Sequence, residues 1–598
     1  MPGRTSCLSH REIDVPMIPK SGPSSFFPAS LPIMGAARVR LWPACAVLAA
    51  LTLVAFALHV VFPATANLTA FFLDRQDRWL LLLETGVVVV VGGVVRQRDS
   101  AWRAGKAWPW IAAAALVPVC LLGHDWVLAG YDMSRDEQMA SFDAAVFAKG
   151  HLIQPLPAMW RDHADVLNTM FMYPATRRGG WISSYLPLNA ALRALFSLFA
   201  TPYLTNAVMT GLGLLALWAC ARRIWPANRE AALVALLLYI GSGQILTLGM
   251  TAYAMPAHLV CNLVWLWLFL NRRLWSDLAA LVVGFVAMGL HQPLMHPLFA
   301  APLLFLLLQE RQWVRAALYA AGYAVGGVFW LLWPGRMWHL VQADLHAASP
   351  AGVDFYTRLS QTFAGRDIAA RQDTVANLLR FFAWQHLLLL PLMIVGWKIA
   401  KKDRLAGALT LGIILTAGIM AVILPYQGHG FGYRYLHGLI GNCILLAVYG
   451  WISLEDRQKD WRNALVWTTV AGLAFIVPCQ LWMAHGFYAP SAAVSARLDR
   501  VQADYVMVDG LEAPFALDLV QNPPALDRRP LRLISNFTSR QVEALICGKG
   551  AHVAVADERW FAPMNTYYRT APDPEAAQRN HLLGQRLAGL GCRIDNGR

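Results

Sequence analysis

The chain is short of charge: only 14% of its 598 residues are Asp, Glu, Lys or Arg, while 57% are hydrophobic. A soluble domain of ordinary size has nowhere to hide that much apolar surface, so a water-soluble globular fold is excluded and a bilayer must be the solvent. Acidic residues are the scarcer sign, 36 against 50 Lys and Arg for a net charge of +14. Yet no continuous basic tract exists; the basic residues fall in short clusters between apolar runs. That removes nucleic acid as a partner and makes the clusters signals of topology. Cysteine is sparse and never spaced as in a metal site. Cys45, Cys120, Cys220, Cys261, Cys443 and Cys479 lie in apolar runs, where a thiol behaves as a small hydrophobe.

What the sequence has instead is a series of apolar runs near the roughly 17 to 25 residues needed to cross about 30 Å of hydrocarbon. About thirteen occur, over 41–62, 79–95, 108–128, 203–220, 231–250, 257–270, 278–290, 294–308, 314–333, 382–399, 405–424, 437–454 and 463–485. A missed or invented helix would invert every later loop, so the distribution of basic residues tests the count. Arg96, Arg98, Arg103 and Lys106 share one loop, and Arg222, Arg223 and Arg229 the next alternate one. Arg272 with Arg273, Arg311 with Arg315, then Lys398, Lys401, Lys402 and Arg404, and finally Arg457, Lys459 and Arg462 follow on the same side. With Arg38 and Arg40 ahead of the first run, a cytoplasmic N-terminus and an external C-terminus are expected.

Residues 1–37 are rich in Ser and Pro without apolar periodicity and read as a disordered cytoplasmic tail, with Met34 an alternative start. The first apolar run is too long for a signal peptide. The expected transmembrane domain covers 38–489. Three external connections are long enough to hold chemistry: 131–202, 334–380 and everything after the last run. The segment 490–598 has strand-like stretches at 504–508, 531–534 and 552–555 and a helical one at 539–547. It reads as a small α/β domain with no catalytic mark of its own. Its two cysteines, Cys547 and Cys592, face an oxidising compartment and are expected to pair.

In the first external loop, Ser134-Arg135-Asp136-Glu137 opens a helix ending near Gly150. Ser134 and Glu137 fit a capping box. Asp136 stands in the first turn, where the helix dipole favours an ionised carboxylate, and Asp143 two turns on is expected at the surface. Sugar transfer from a phosphate carrier needs a base for the acceptor hydroxyl as the anomeric carbon becomes oxocarbenium-like, and an ionised Asp at the membrane surface suits it.

This acidic pair after an early transmembrane helix, followed by a long loop carrying Trp181-Ile182-Ser183-Ser184-Tyr185-Leu186-Pro187-Leu188, resembles the GT-C glycosyltransferases. The similarity is to the branch of protein mannosyltransferases and aminoarabinose transferases, over roughly 108–308. It implies an all-α polytopic fold and an enzyme in a bacterial inner membrane that makes envelope glycan. The implied donor is a polyprenyl-phosphate sugar, the acceptor a lipid, glycan or protein, and the catalytic acids Asp136, as base, and Glu137. Many relatives carry another acid at the next external turn; the matching stretch, 249–256, has none, which argues against a two-carboxylate or metal-bridged mechanism.

Two other external turns carry polar residues. His291 and His296 share one turn and are a pair a divalent metal can use. Without carboxylates beside them, hydrogen bonding to structure or substrate is expected, and no cofactor is assigned. The cluster Tyr426-Gln427-Gly428-His429-Gly430-Phe431-Gly432-Tyr433-Arg434-Tyr435-Leu436-His437 has glycines that allow close backbone approach. It can be an interfacial aromatic belt with a snorkelling arginine. But Arg434 stands on the side poor in basic residues and asks for an anionic partner. A lipid phosphate would supply one, with Tyr433, Tyr435 and His437 beside it. Tyr185, His291 and His429 are then candidates for the substrate pocket. Arg177, Arg178, Arg358, Arg366 and Arg371 are weaker phosphate candidates, expected to be solvated. The competing functional class is a transporter or flippase of a lipid-linked glycan, and a catalytically inactive scaffold of the same fold is a third.

Overall fold

The computed structural model describes residues 41–95, 105–175, 177–342, 368–455, 458–548 and 550–595. The expected tail 1–37, Arg358, Arg366, and Arg38, Arg40, Arg96, Arg98, Arg103 and Arg457 of the basic clusters lie outside the described residues.

Every apolar run read from the sequence contains helix, although 382–399 is helical mainly over Leu389–Ile399, after a non-helical stretch that follows Ile368–Ala383. Among the described residues, seven helices are individually long and apolar enough to cross a bilayer: Trp42–Val61, Trp108–Trp126, Leu204–Ile224, Trp313–Val341, Arg404–Ile423, Arg434–Ile452 and Trp461–Asp499. Four shorter apolar helices, Met255–Asn271, Leu274–Met288, Met295–Gln309 and Leu389–Ile399, pack among them, and Arg78–Val94 packs against Trp42–Val61. The run 231–250 is not one straight span. It breaks into Arg229–Ile240 and Gly243–Gly249, bent by 61°. Ser242 makes the break: its Oγ accepts from Ile245 N at 3.2 Å and donates to Gln385 Oε1 at 2.8 Å. Gly243 approaches Gln480 so closely that a Cβ would lie 1.8 Å from its Oε1, a Ser-Gly kink held by packing. The chain is a multi-pass membrane protein, all-α in its membrane part.

The turns sort to two ends of the bundle. At one end Arg223 donates to Leu270 O, Arg272 pairs with Glu310 at 2.7 Å, Arg315 with Asp277 at 2.6 Å and Arg462 with Glu230 at 2.7 Å. These bonds join the turns that carry the basic clusters. At the other end the loop after Trp108–Trp126 meets the turns at 250–254, 289–294 and 424–433. There Asn206 Nδ2 donates to Thr251 O at 2.6 Å and to Tyr253 O at 2.8 Å, and Asn189 Nδ2 to Ala252 O at 3.1 Å.

Helix Trp313–Val341 continues past Pro334 and carries its last turns into that far loop, where Trp338 Nε1 donates to Pro174 O at 2.8 Å and Gly179 N to Val341 O at 2.9 Å. The last long helix likewise runs through Pro490 to Asp499 and feeds the C-terminal unit. There four parallel strands lie in the order Leu531–Ile534, Tyr505–Val508, His552–Val555, Arg593–Asp595, with Tyr505 opposite Leu531 and Val553. Tyr505–Val508 and Leu531–Ile534 are buried throughout, as expected of a parallel sheet covered on both faces. Helices Arg540–Cys547, Glu558–Tyr568 and Ala576–Gly589 supply the cover, and Cys547 and Cys592 form a disulfide.

Candidate functional site

The helix Arg135–Phe147 organises the far end of the bundle. Ser134 is its N-cap with extended backbone, and the capping box is complete: Glu137 N donates to Ser134 Oγ at 3.3 Å and Ser134 N to Glu137 Oε2 at 3.2 Å. Glu137 is wholly buried, and its carboxylate also accepts from Tyr488 Oη at 2.9 Å and Ala252 N at 3.5 Å. Burial, then the nearby Asp132 charge, pushes this carboxyl up to about 7 against the lowering effect of those bonds. Glu137 therefore fastens the helix to the bundle, and it is not among the residues that line the cleft described below.

Asp136, one residue earlier, faces the other way. Arg434 Nη1 donates to its Oδ2 at 2.6 Å, Tyr185 Oη donates to its Oδ1, and its side chain stays 20% exposed. Burial raises its pKa, but Arg434, His291 and the two hydrogen bonds outweigh it and hold the carboxyl down at about 2. Tyr185 moves the opposite way, raised by burial and then by Asp136, so it stays a donor.

Arg434 is fixed on every side. Its Nη2 donates to Gln427 O at 2.8 Å, its own N donates to Gln427 Oε1 at 2.7 Å, and its guanidinium lies 4.5 Å from the Tyr253 ring centroid and 5.8 Å from that of Tyr435. The glycines before it make this possible. Gly430 has φ +118, and a Cβ there would sit 2.5 Å from Arg434 Cδ, so only glycine suits the position.

Asp136, Asp143, Ser183, Tyr185, Tyr253 and His291 are among the residues around a cleft with an empty volume of about 340 Å³. The rings of Tyr185 and His291 stand 4.8 Å apart. Burial lowers the His291 pKa, with Asp136 opposing and Arg434 assisting, so the imidazole is neutral. His296 does not join it; it is buried between Asn262 Oδ1 at 2.8 Å and Tyr323 Oη at 2.7 Å. Among the described residues no group of three or more His, Cys, Asp and Glu side chains is arranged to hold a metal ion.

Of the residues expected around a donor phosphate, Tyr435 borders the Arg434 guanidinium. Tyr433 and His437 sit one layer deeper, buried against Gln244, whose Nε2 donates to Tyr433 O at 3.0 Å and lies 3.5 Å from His437 Nδ1. His429 packs 4.5 Å from the Phe515 ring, and its Nε2 is buried without a hydrogen-bond partner. Burial, aided by Arg434, lowers its pKa to about 4.

Two surface expectations are corrected. Asp143 is buried, not solvated: Ser183 N donates to its Oδ1 at 3.1 Å and Ser183 Oγ to its Oδ2, and burial outweighs both bonds to push the carboxyl up to about 7. It shares a face with Asp136 because seven residues make two helical turns, and that face is covered by the loop strand bearing Ser183. Arg178 is also buried, donating to Tyr173 O and pairing with Asp165 at 3.4 Å, and so braces the loop. Arg177, paired with Asp162 at 3.2 Å, and Arg371 remain exposed.

Sequence reasoning missed Tyr253 and Arg380. Tyr253 lies in the stretch noted only for lacking an acid. Arg380 is completely buried, its Nη2 donates to Gly430 O, its Nε is 3.5 Å from Asp77, its guanidinium is 4.1 Å from the Phe72 centroid, and its Nη1 has no hydrogen-bond partner. Like Arg434, it adjoins an apolar run on the side poor in basic residues, which is the signal that would have found it. Arg380 and Arg434 thus reach Gly430 from two sides, one on its carbonyl and one against its Cα. Among the described residues the buried Nε of Arg434 also has no hydrogen-bond partner.

No family model matches the chain, and no curated protein matches it. Solved structures are similar to it, two of them crystal structures of one protein. One is a crystal structure of ArnT from Cupriavidus metallidurans bound to undecaprenyl phosphate, with 14% identity, 79% of this chain and 91% of that one covered, and a TM-score of 0.47. The other is the same protein in the apo state, with 13% identity, 79% and 90% covered, and a TM-score of 0.41.

Proposed function

We propose that this protein is a GT-C-type membrane glycosyltransferase that moves a sugar from a polyprenyl-phosphate donor to an acceptor hydroxyl outside the cytoplasm. The observation that carries this reading is the ionised Asp136 at the edge of a cleft, gripped by a guanidinium that still has an unsatisfied buried N–H. Buried donors without partners are rare in folded proteins and call for an acceptor. Among the described residues, Arg434 Nε and Arg380 Nη1 are two such donors beside one glycine loop, with His429 Nε2 a third buried nitrogen without a partner, and phosphate oxygens match guanidinium geometry.

In this scheme the acceptor oxygen attacks the anomeric carbon, its proton passes to Asp136, and the sugar–phosphate bond breaks to release polyprenyl phosphate. The phosphate gains a negative charge as it leaves, and Arg434 and Arg380 stabilise that charge where it develops. At about 2 the Asp136 carboxylate is a weak base. As Arg434 turns part of its charge toward the phosphate, Asp136 loses its main lowering partner and becomes a stronger one. Tyr185 and neutral His291 remain to orient it. The topology that accompanies this reading puts the basic-cluster end in the cytoplasm and the site and C-terminal unit outside.

A flippase or transporter of a lipid-linked glycan is the second reading, favoured by the bent pair Arg229–Ile240 and Gly243–Gly249, since broken helices often form transport sites. The test is purified protein in lipid nanodiscs supplied with a panel of labelled polyprenyl-phosphate sugars. Release of free polyprenyl phosphate that Asp136→Asn abolishes supports the transferase; movement of intact carrier across liposomes without cleavage supports the transporter.

A further inference from the structure

The C-terminal unit meets the edge of this site through one loop, residues 511–524, which packs on His429 and on the helix that carries Asp136. Nothing in the sequence marks that unit as catalytic, yet several hydrogen bonds tie its loop to the membrane domain. Asn168, itself in the left-handed region at φ 65, donates its Nδ2 to Leu517 O at 2.6 Å. Trp181 Nε1 donates to Pro524 O at 2.9 Å, Gln521 Nε2 to Tyr131 Oη at 2.8 Å, and Gln138 Nε2 to Asp518 O at 2.9 Å. Gln138 is on the same helix as Asp136, so the loop is registered to the candidate base through one short connection.

Two side chains of the loop stand toward the site. Phe515 is a bulky residue at φ 63, a left-handed conformation that persists where surroundings impose it, often at functional sites. That backbone turns its ring onto His429, 4.5 Å between centroids, and toward Tyr568 at 5.6 Å. Asp518 is held at both backbone ends: its N donates to Phe515 O at 2.9 Å, and its carbonyl accepts from Gln138 and from Gln521 Nε2 at 3.0 Å. Its half-buried carboxyl has no hydrogen bond or ion pair among the described residues; burial pushes it up to about 7, with the Arg135 charge opposing and Asp136 assisting. A carboxyl fixed through its backbone, with its oxygens open, can accept a hydrogen bond from a group that arrives from outside the chain.

We infer that the loop 511–524 is the acceptor-side wall of the site, with the Asp518 carboxylate accepting a hydrogen bond from the incoming acceptor and the Phe515 ring shielding the cleft beside His429. Asp518 is a positioning residue in this scheme: it orients the hydroxyl-bearing group while Asp136 takes the proton. The inference rests on the transferase reading above.

The experiment uses the full chain and two readouts. Affinity for undecaprenyl phosphate is measured in nanodiscs, and sugar transfer from labelled undecaprenyl-phosphate sugar is measured in membrane vesicles of the producing cell, which hold the natural acceptor. At pH 8, where the Asp518 carboxyl is ionised, Asp518→Asn should bind undecaprenyl phosphate within about twofold of wild type while transfer falls by about tenfold, the scale by which a hydrogen bond to a charged acceptor exceeds one to a neutral amide. Arg434→Ala should lose both. Phe515→Gly, which suits the left-handed backbone, should keep the wild-type melting temperature and still transfer more slowly. The inference is overturned if Asp518→Asn transfers at the wild-type rate, if it loses lipid binding as Arg434→Ala does, or if the activity of Phe515→Gly merely tracks a lowered melting temperature. Wild-type vesicles that transfer nothing from any carrier would instead sink the transferase reading, and this inference with it.

Discussion

Replacing Arg434 by Gln removes the charge 2.6 Å from Asp136 but keeps a side chain able to hydrogen-bond. In the native protein the Asp136 carboxyl is held at about 2 against an ordinary 3.8, and that difference is worth about 2.5 kcal/mol. The sign follows from the depressed value. The stabilisation is fully present above about pH 4 and is lost as pH falls toward 2, so across the working range Asp136 is always ionised. Without the guanidinium, burial acts against only His291 and Tyr185, and the pKa rises past its ordinary value. The acid limb of the transfer rate, out of reach in the native enzyme, should move up by about two pH units or more in Arg434→Gln. Initial rates of polyprenyl phosphate release between pH 4 and 9, at saturating donor, measure it. An Arg434→Gln enzyme whose profile stays flat to pH 4, though slower, would show that the pair does not set the base and would refute the reasoning.

Asp136→Asn should fold and bind undecaprenyl phosphate yet turn over about 10² to 10⁴ times more slowly, whereas Glu137→Gln, which can still close the capping box, should lose far less; the reverse order in the release assay would exchange their roles. Asp143→Asn should raise the melting temperature more at pH 8 than at pH 5. A buried acid raised to about 7 stabilises below its unfolded pKa and loses that stability as pH climbs through 7, on the order of 4 kcal/mol. Reducing the Cys547 to Cys592 bridge should destabilise the C-terminal unit by about 4 kcal/mol for its loop of 45 residues, read as an earlier melting step in a thiol-reduced sample. Reporter fusions after Leu454 and at Arg598 should report the cytoplasm and the exterior respectively, and opposite signals would reverse the topology.

The helical count was legible because bilayer length writes itself into apolar runs, but the breaks inside two of them were hidden: at Ser242, where Gly241, Ser242 and Gly243 are apolar-tolerant, and at 384–388, within the run 382–399. In the C-terminal unit the three strands with buried apolar residues stood out, but Arg593–Asp595 did not, being a short charged edge strand. Its helices Glu558–Tyr568 and Ala576–Gly589 were not read, although their buried positions Trp560, Phe561 and Met564, and Ala576, Asn580, Leu583 and Leu587, recur at helical spacing; polar Asn580 within that stripe weakened the apolar pattern. At the site, the capping box and the isolated Arg434 each carried a local signal. The partnership of Asp136 with Arg434 spans 298 positions and could not be read locally. The burial of Asp143 depends on Ser183, 40 residues away, and on a loop whose path no periodicity describes.

Three carboxylates on one short helix show how the fold divides labour. Asp136, Glu137 and Asp143 are the same chemistry within two turns, yet their environments drive one down to about 2 and the other two up to about 7. Glu137 meets only neutral donors, Ser134, Ala252 and Tyr488, with Asp132 nearby as a like charge. Asp143 meets only Ser183. Of the three, Asp136 alone is ion-paired with a guanidinium among the described residues, and its side chain stays 20% exposed. Separation of this kind between neighbouring acids is how a site assigns a proton acceptor and its supports. The supports need no charge to do their work, because hydrogen bonds to Glu137 and Asp143 fix the helix whether or not those acids are ionised. The charged member must be held by something that can also let go, and Arg434, with an unsatisfied Nε beside it, is the residue built to do so.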